Sequence, residues 1–152
     1  MAATAWQLYN SAKRYIGNGT ITLGAGVFKM LLARTSSNAS TFTLSTYASV
    51  TNEISATGGY ATGGKQLVPA AGFWTSGVSA KQMKFTMSSV GLAFTASGAS
   101  LTNIRYAILR NSTGALAGKL LCFCQLSSSQ FTVTSPNTLT VLPAATGIFT
   151  LT

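Results

Sequence analysis

The chain has 152 residues, enough for one domain with a real core; 47% are hydrophobic and only 7% charged. Ten Lys and Arg face a single acidic residue, Glu53, for a formal net charge of +9, and there is no histidine and no aspartate. That composition excludes His-centred triads, paired-carboxylate chemistry within one chain, and nearly every zinc or magnesium site built from His and carboxylates.

In chain order, the first predicted element is a helix in an N-terminal arm spanning about residues 3–16. Trp6, Tyr9 and Ile16 fall near helical spacing, Ala12 lies between them, and Gly17 supplies the stop. Beyond residue 19 the punctuation is that of an all-β protein. Short runs "TITL", "VFKMLLAR" and "TFTL" are separated by Gly, Asn and Ser. "KQLV", "KQMKFTM", "LAFTA", "NIRYAILR", "KLLCFCQL", "FTVT", "TLTVL" and "IFTLT" follow. "FTVT" and "TLTVL" alternate as strands with one buried face do. In "IRYAILR", Ile104, Tyr106, Ile108 and Arg110 share one face. The expected fold is mainly all-β: one domain over 1–152, an antiparallel β-sandwich with jelly-roll topology and one N-terminal helix. The longest apolar run, "LLCFCQL", has the length of a strand and not of a membrane span, and the N-terminus lacks the order of a signal peptide. A soluble, intracellular product with no membrane partner is expected.

The glycine-rich stretch "EISATGGYATGGKQL" approaches a phosphate-binding loop: Gly59, four residues, then Gly64 and Lys65. The next residue is Gln66, where a Ser or Thr is needed, and the chain continues as strand and loop instead of helix. Gly58, Gly59, Gly63 and Gly64 are therefore read as a structural turn beside Tyr60, using the left-handed backbone that glycine permits. Glu53, alone among ten bases, is expected to cap a turn or pair with an arginine such as Arg105. Cys122 and Cys124 point to one face of a strand, a poor disulfide geometry, and read as small core residues in a reducing compartment. No catalytic, cofactor-binding or metal-ligating residue is assigned.

A surface this poor in charge suits a protein covered by neighbours, since solubility leans on interspersed surface charge. The basic excess calls for an acidic partner. Because the bases are scattered along the sequence, an acidic protein surface is favoured over nucleic acid.

Four segments carry a resemblance: "WQLYNSAKRYIGNGTITLGAGVFKMLL", "YASVTNEISATGGYATGGKQL", "MKFTMSSVGLAFTASGASLTNIRYAILRN" and "TLTVLPAATGIFTLT". Together they span nearly the whole chain, and in order and spacing the chain resembles a family of short virion structural proteins of tailed bacteriophages. Such proteins are usually described only as virion structural proteins, and some as capsid decoration (cement) or tail-fibre-related components. Relatives often carry several Asp and Glu in the central strands, where this chain has "KQMKFTMSSV". The resemblance implies a homo-oligomeric virion component, assembled in the host cytoplasm, whose partner is the major capsid protein or another virion protein. Trp6, Tyr9, Lys13 and Arg14 are the candidate contacts, since aromatics and Arg dominate interface hot spots; Trp6 and Tyr9 read equally well as residues that simply cover the sandwich. The alternatives are a tail, collar or fibre-base component and, from another class, a DNA- or glycan-binding module in which Trp74 stacks on sugar.

Overall fold

The computed structural model describes residues 3–68, 72–77, 81–113 and 117–151. The framework comes from the most continuously apolar stretches. Strand β2 (Phe28–Arg34), β7 (Leu101–Asn111) and β8 (Leu120–Gln125) lie side by side, antiparallel, and their middles are buried on both faces. Burial on both faces is why these segments read as apolar runs and not as alternating ones. β1 (Gln7–Leu8) adds to β8 and β3 (Lys65–Gln66) to β2, giving the order β1-β8-β7-β2-β3. β9 (Phe131–Val133) pairs with the first part of β7. Two further sheets are small. β4 (Trp74–Ser76), β5 (Met83–Phe85) and β11 (Phe149–Leu151) form one, β6 (Leu92–Thr95) and β10 (Thr138–Val141) the other. The fold is all-β, with several antiparallel sheets and one N-terminal helix, α1 (Asn10–Gly17).

The register of the large sheet sorts its side chains. Phe28, Met30, Leu32, Ala107, Leu109, Cys122 and Cys124 share one face; Leu31, Ala33, Tyr106, Ile108 and Phe123 share the other. On the first face Phe28 meets Phe73 and Phe85 edge-on, at 5.2 and 4.9 Å between ring centroids, and Phe149 stacks on Phe85 at 5.2 Å. This aromatic set joins the three-stranded sheet to the large one. On the second face Phe123 meets Tyr9 and Phe42 at 5.1 and 5.5 Å, bringing the helical end and the 39–47 segment onto the sheet. Cys122 and Cys124 are free and buried.

The helix is shorter than the sequence pattern suggests. It begins at Asn10, because the residues before it run along β8: Gln7 and Leu8 pair with Phe123 and Cys122, and the Thr4 N–H donates to the Gln125 carbonyl at 2.8 Å. "TITL" and "TFTL" are not strands. Ile21 and Leu23 are buried, but the backbone closes on itself, Gly26 N–H to the Thr22 carbonyl, and in the second segment Leu44 N–H to the Thr41 carbonyl. β1 and β4 are additions that the sequence pattern does not show. Thr152, the last residue of "IFTLT", lies outside the described residues.

Candidate functional site

The outer edge of β2 would leave backbone groups unpaired beyond β3, and the segment 47–64 covers it. Glu53 bridges to Ala33, the Ile54 N–H donates to the Leu32 carbonyl at 3.1 Å, and the Arg34 N–H donates to the Asn52 carbonyl at 2.9 Å. The Tyr60 hydroxyl accepts the Leu32 N–H at 3.1 Å. The same hydroxyl donates to Glu53 Oε1 at 2.5 Å, and the Gly63 N–H donates to that oxygen at 2.7 Å. Tyr47, from a short 3-10 turn over Tyr47–Ser49, donates its hydroxyl to Oε2 at 2.5 Å. One carboxylate therefore gathers two phenols and one backbone amide, and hydrogen bonds to a charged acceptor are the stronger kind.

Arg110 completes this hub. Its Nε and Nη2 donate to the Gly63 carbonyl at 3.1 and 2.9 Å, and its guanidinium lies 4.5 Å from the centroid of the Tyr47 ring. Burial, then the hydrogen bond to Glu53, pushes the Tyr47 phenol up to about 12; the same causes raise Tyr60 further. Both phenols thus stay protonated and act as donors. The carboxylate, saturated by groups that do not release protons near neutrality, is arranged to hold a loop.

The glycines serve this geometry. Gly58, Gly59, Gly63 and Gly64 all have positive φ, and a Cβ on Gly64 would fall on the Met30 carbonyl. The Gly63 N–H goes to Glu53 and the Gly64 N–H to the Ala61 carbonyl at 3.1 Å, so neither is turned outward to a phosphate.

Arg105 is not the partner of Glu53. It follows the register irregularity between β2 and β7 at Ala33/Arg34, and its Nη1 donates to Thr35 Oγ1 at 2.9 Å, with the guanidinium 5.6 Å from the Tyr106 ring centroid. Arg110 and Tyr47 are the members that sequence reasoning missed. Arg110 shares a face with Tyr106 and Ile108, as the two-residue period of a strand over "IRYAILR" places it. Tyr47, six residues before Glu53, carries no signal of its own.

The four N-terminal candidates separate. Tyr9 is fully buried and donates its hydroxyl to the Ala39 carbonyl at 2.7 Å, so it is a core residue and offers no contact surface. Trp6 is half-buried against the core and walls a cleft of about 720 Å³. The cleft is also lined by Leu126, Phe131, Leu139, Val141 and Ile148, with no charged side chain among the described residues. Cys124 lies at its floor, where burial pushes the thiol up to about 12 and leaves it a packing group. Lys13 and Arg14 are exposed on α1. Trp74 is half-buried on β4 and tilts against Phe149 at 6.5 Å.

Among the described residues no cluster of His, Cys, Asp or Glu is arranged to hold a metal ion, and no helix is long and apolar enough to cross a membrane. Comparison of the chain with protein-family models, with curated proteins and with solved structures finds no match.

Proposed function

We propose that the chain is a non-enzymatic structural protein of a tailed-bacteriophage virion, and specifically a capsid decoration (cement) protein. In this reading the sheets make a β-sandwich of jelly-roll type. The protein oligomerises, and it binds the outer surface of the assembled shell after synthesis in the host cytoplasm. One observation carries the reading. The only acidic side chain is spent on the protein's own loop, while none of the ten Lys and Arg is buried. A surface with one sign of charge, and little of it, is suited to being covered by an acidic neighbour. The resemblance of four segments to virion proteins supports the setting. The role is mechanical: a clamp across capsomer boundaries raises the free energy of separating them, and an interface of about 1,600 Å² repeated over the shell multiplies modest affinities.

Quantitative densitometry of purified virions against the major capsid protein tests this. A ratio near one, or a simple fraction of it, is expected. A ratio of a few per cent would refute decoration and favour a tail, collar or fibre-base ring, which needs only a few to a few dozen copies.

A further inference from the structure

The bases that are scattered in sequence are not scattered in the fold. Lys29 and Arg110 are cross-strand partners on β2 and β7, on the face that carries α1. Arg110 lies over the Tyr47 ring, and the Tyr47 N–H donates to the Gly118 carbonyl at 2.6 Å, next to Lys119. Lys119 Nζ is 5.3 Å from the Tyr15 ring centroid, and the Arg14 guanidinium is 5.4 Å from the same ring. Lys13 adjoins on α1. A continuous path of contacts thus joins Lys29, Arg110, Lys119 and Arg14 through two tyrosines. The only acidic side chain beside them is Glu53, already engaged by Tyr47, Tyr60 and Gly63.

Resting on the virion reading above, we infer that this face, with Lys13, Arg14, Lys29, Arg110 and Lys119 as its cations, docks a carboxylate-rich protein surface. Two features select protein over nucleic acid. Tyr15 is only 8% exposed and the Tyr47 ring is covered by Arg110, so neither offers an open face for stacking a base. At the start of α1, where the Asn10 N–H donates to the Phe42 carbonyl at 3.1 Å, the Phe42 ring is 44% exposed and backed by Phe123. An aromatic anchor beside Arg and Lys is the composition of a protein interface hot spot. Arg14, Arg110 and Lys119 are pre-positioned by the Tyr15 and Tyr47 rings, which lowers the ordering cost of binding.

The test compares two charge-matched triple variants, Arg14→Gln/Lys29→Gln/Lys119→Gln and Lys65→Gln/Lys81→Gln/Lys84→Gln, both checked by melting temperature. The second set lies elsewhere, with Lys65 donating to the Ala93 carbonyl and Lys84 on β5. Labelled poly-L-glutamate, duplex DNA at matched charge, and shells lacking this protein are the probes. The first variant should bind poly-L-glutamate at least about tenfold more weakly at low salt, while the second stays within about threefold of wild type. Equal losses in both variants, or a first variant that melts as wild type and binds undiminished, would overturn the inference. So would duplex DNA bound more tightly than poly-L-glutamate through the same three residues, which would make the partner a nucleic acid. If the first variant fails to fold, Lys119→Gln alone carries the test, with about a twofold loss expected and none refuting it. Wild-type protein that ignores shells yet binds poly-L-glutamate through this face would sink the virion reading and leave the face intact. Shell binding unchanged by the first variant would do the reverse.

Discussion

Removal of the Glu53 carboxylate offers the sharpest measurement of what the hub contributes. In Glu53→Ala three donors lose their acceptor: the Tyr47 hydroxyl, the Tyr60 hydroxyl and the Gly63 N–H. Tyr47 is half-buried and can turn to water, so its loss is counted as small. Tyr60 is 6% exposed and Gly63 is buried, and neither can be rehydrated in place. Hydrogen bonds to charged groups contribute about 1.5–3 kcal/mol each, so the two buried donors together set a loss of about 3–6 kcal/mol. Against a total stability of about 5–15 kcal/mol this is a large fraction. At about 2–4 °C per kcal/mol for a chain of this size, the midpoint should fall by about 6–24 °C. Glu53→Gln keeps one oxygen for Tyr60 and Gly63 but turns an amide N–H donor to the Tyr47 hydroxyl, so it loses charge assistance and the acceptor of half-buried Tyr47, about 2 kcal/mol in all. Thermal denaturation followed by circular dichroism at neutral pH measures both. Adding Tyr60→Phe to Glu53→Ala should cost less than Tyr60→Phe costs alone, because the shared bond is already gone. If both Glu53 variants melt within about 2 °C of wild type, the hub does not hold the loop.

Four further outcomes are expected. Tyr47 and Tyr60 hold their protons above the ordinary phenol value of 10.0, Tyr47 up to about 12, and Cys124 does so from 9.0 to about 12, so the unfolded chain releases protons first. Their contribution to stability is therefore complete below about pH 9 and lost progressively towards pH 12, and a denaturant midpoint that stays flat over that window would refute it. Trp6→Ala, in the cleft on the opposite side of the sheet from the bases, should leave poly-L-glutamate binding unchanged with a midpoint loss of only a few degrees. Tyr9→Phe, which removes the bond to the Ala39 carbonyl, should cost about 1 kcal/mol of stability and leave binding alone. Cys122 and Cys124 should react with an aromatic disulfide reagent only as fast as the protein opens, and rapid reaction of the folded protein would contradict their burial.

What the sequence made legible follows from what is local. The runs "FKMLLAR", "NIRYAILR" and "LLCFCQ" announce strands because a strand buried on both faces needs apolar residues throughout. Gln7–Leu8 and Trp74–Ser76 are strands only because β8 and β5 offer them an edge, which no neighbouring residue encodes. "TITL" fails for the opposite reason: its alternation buries Ile21 and Leu23, but glycine on either side lets the backbone bond to itself. That a lone carboxylate must find donors is readable from composition. Which donors it finds depends on how residues 47–64 close, and they bring phenols and an amide where charge alone suggests an arginine. The basic face was hidden because it is made by register. Lys29 and Arg110 are distant in the chain and opposite in the sheet.

The cover over β2 has a consequence for how this protein can meet its neighbours. An open strand edge is a template on which any extended chain can add itself, without regard to side-chain identity. In a protein with so few charges to keep copies apart, such an edge would invite fibrous growth. Here the Phe28 carbonyl, both groups of Leu32 and the Arg34 N–H are already bonded to residues 52–67. Copies packed at high local concentration are thereby denied the indiscriminate route of sheet extension along this edge. Recognition there is left to side chains, where geometry and charge decide the partner, and the chain's one acid is the latch that keeps it so.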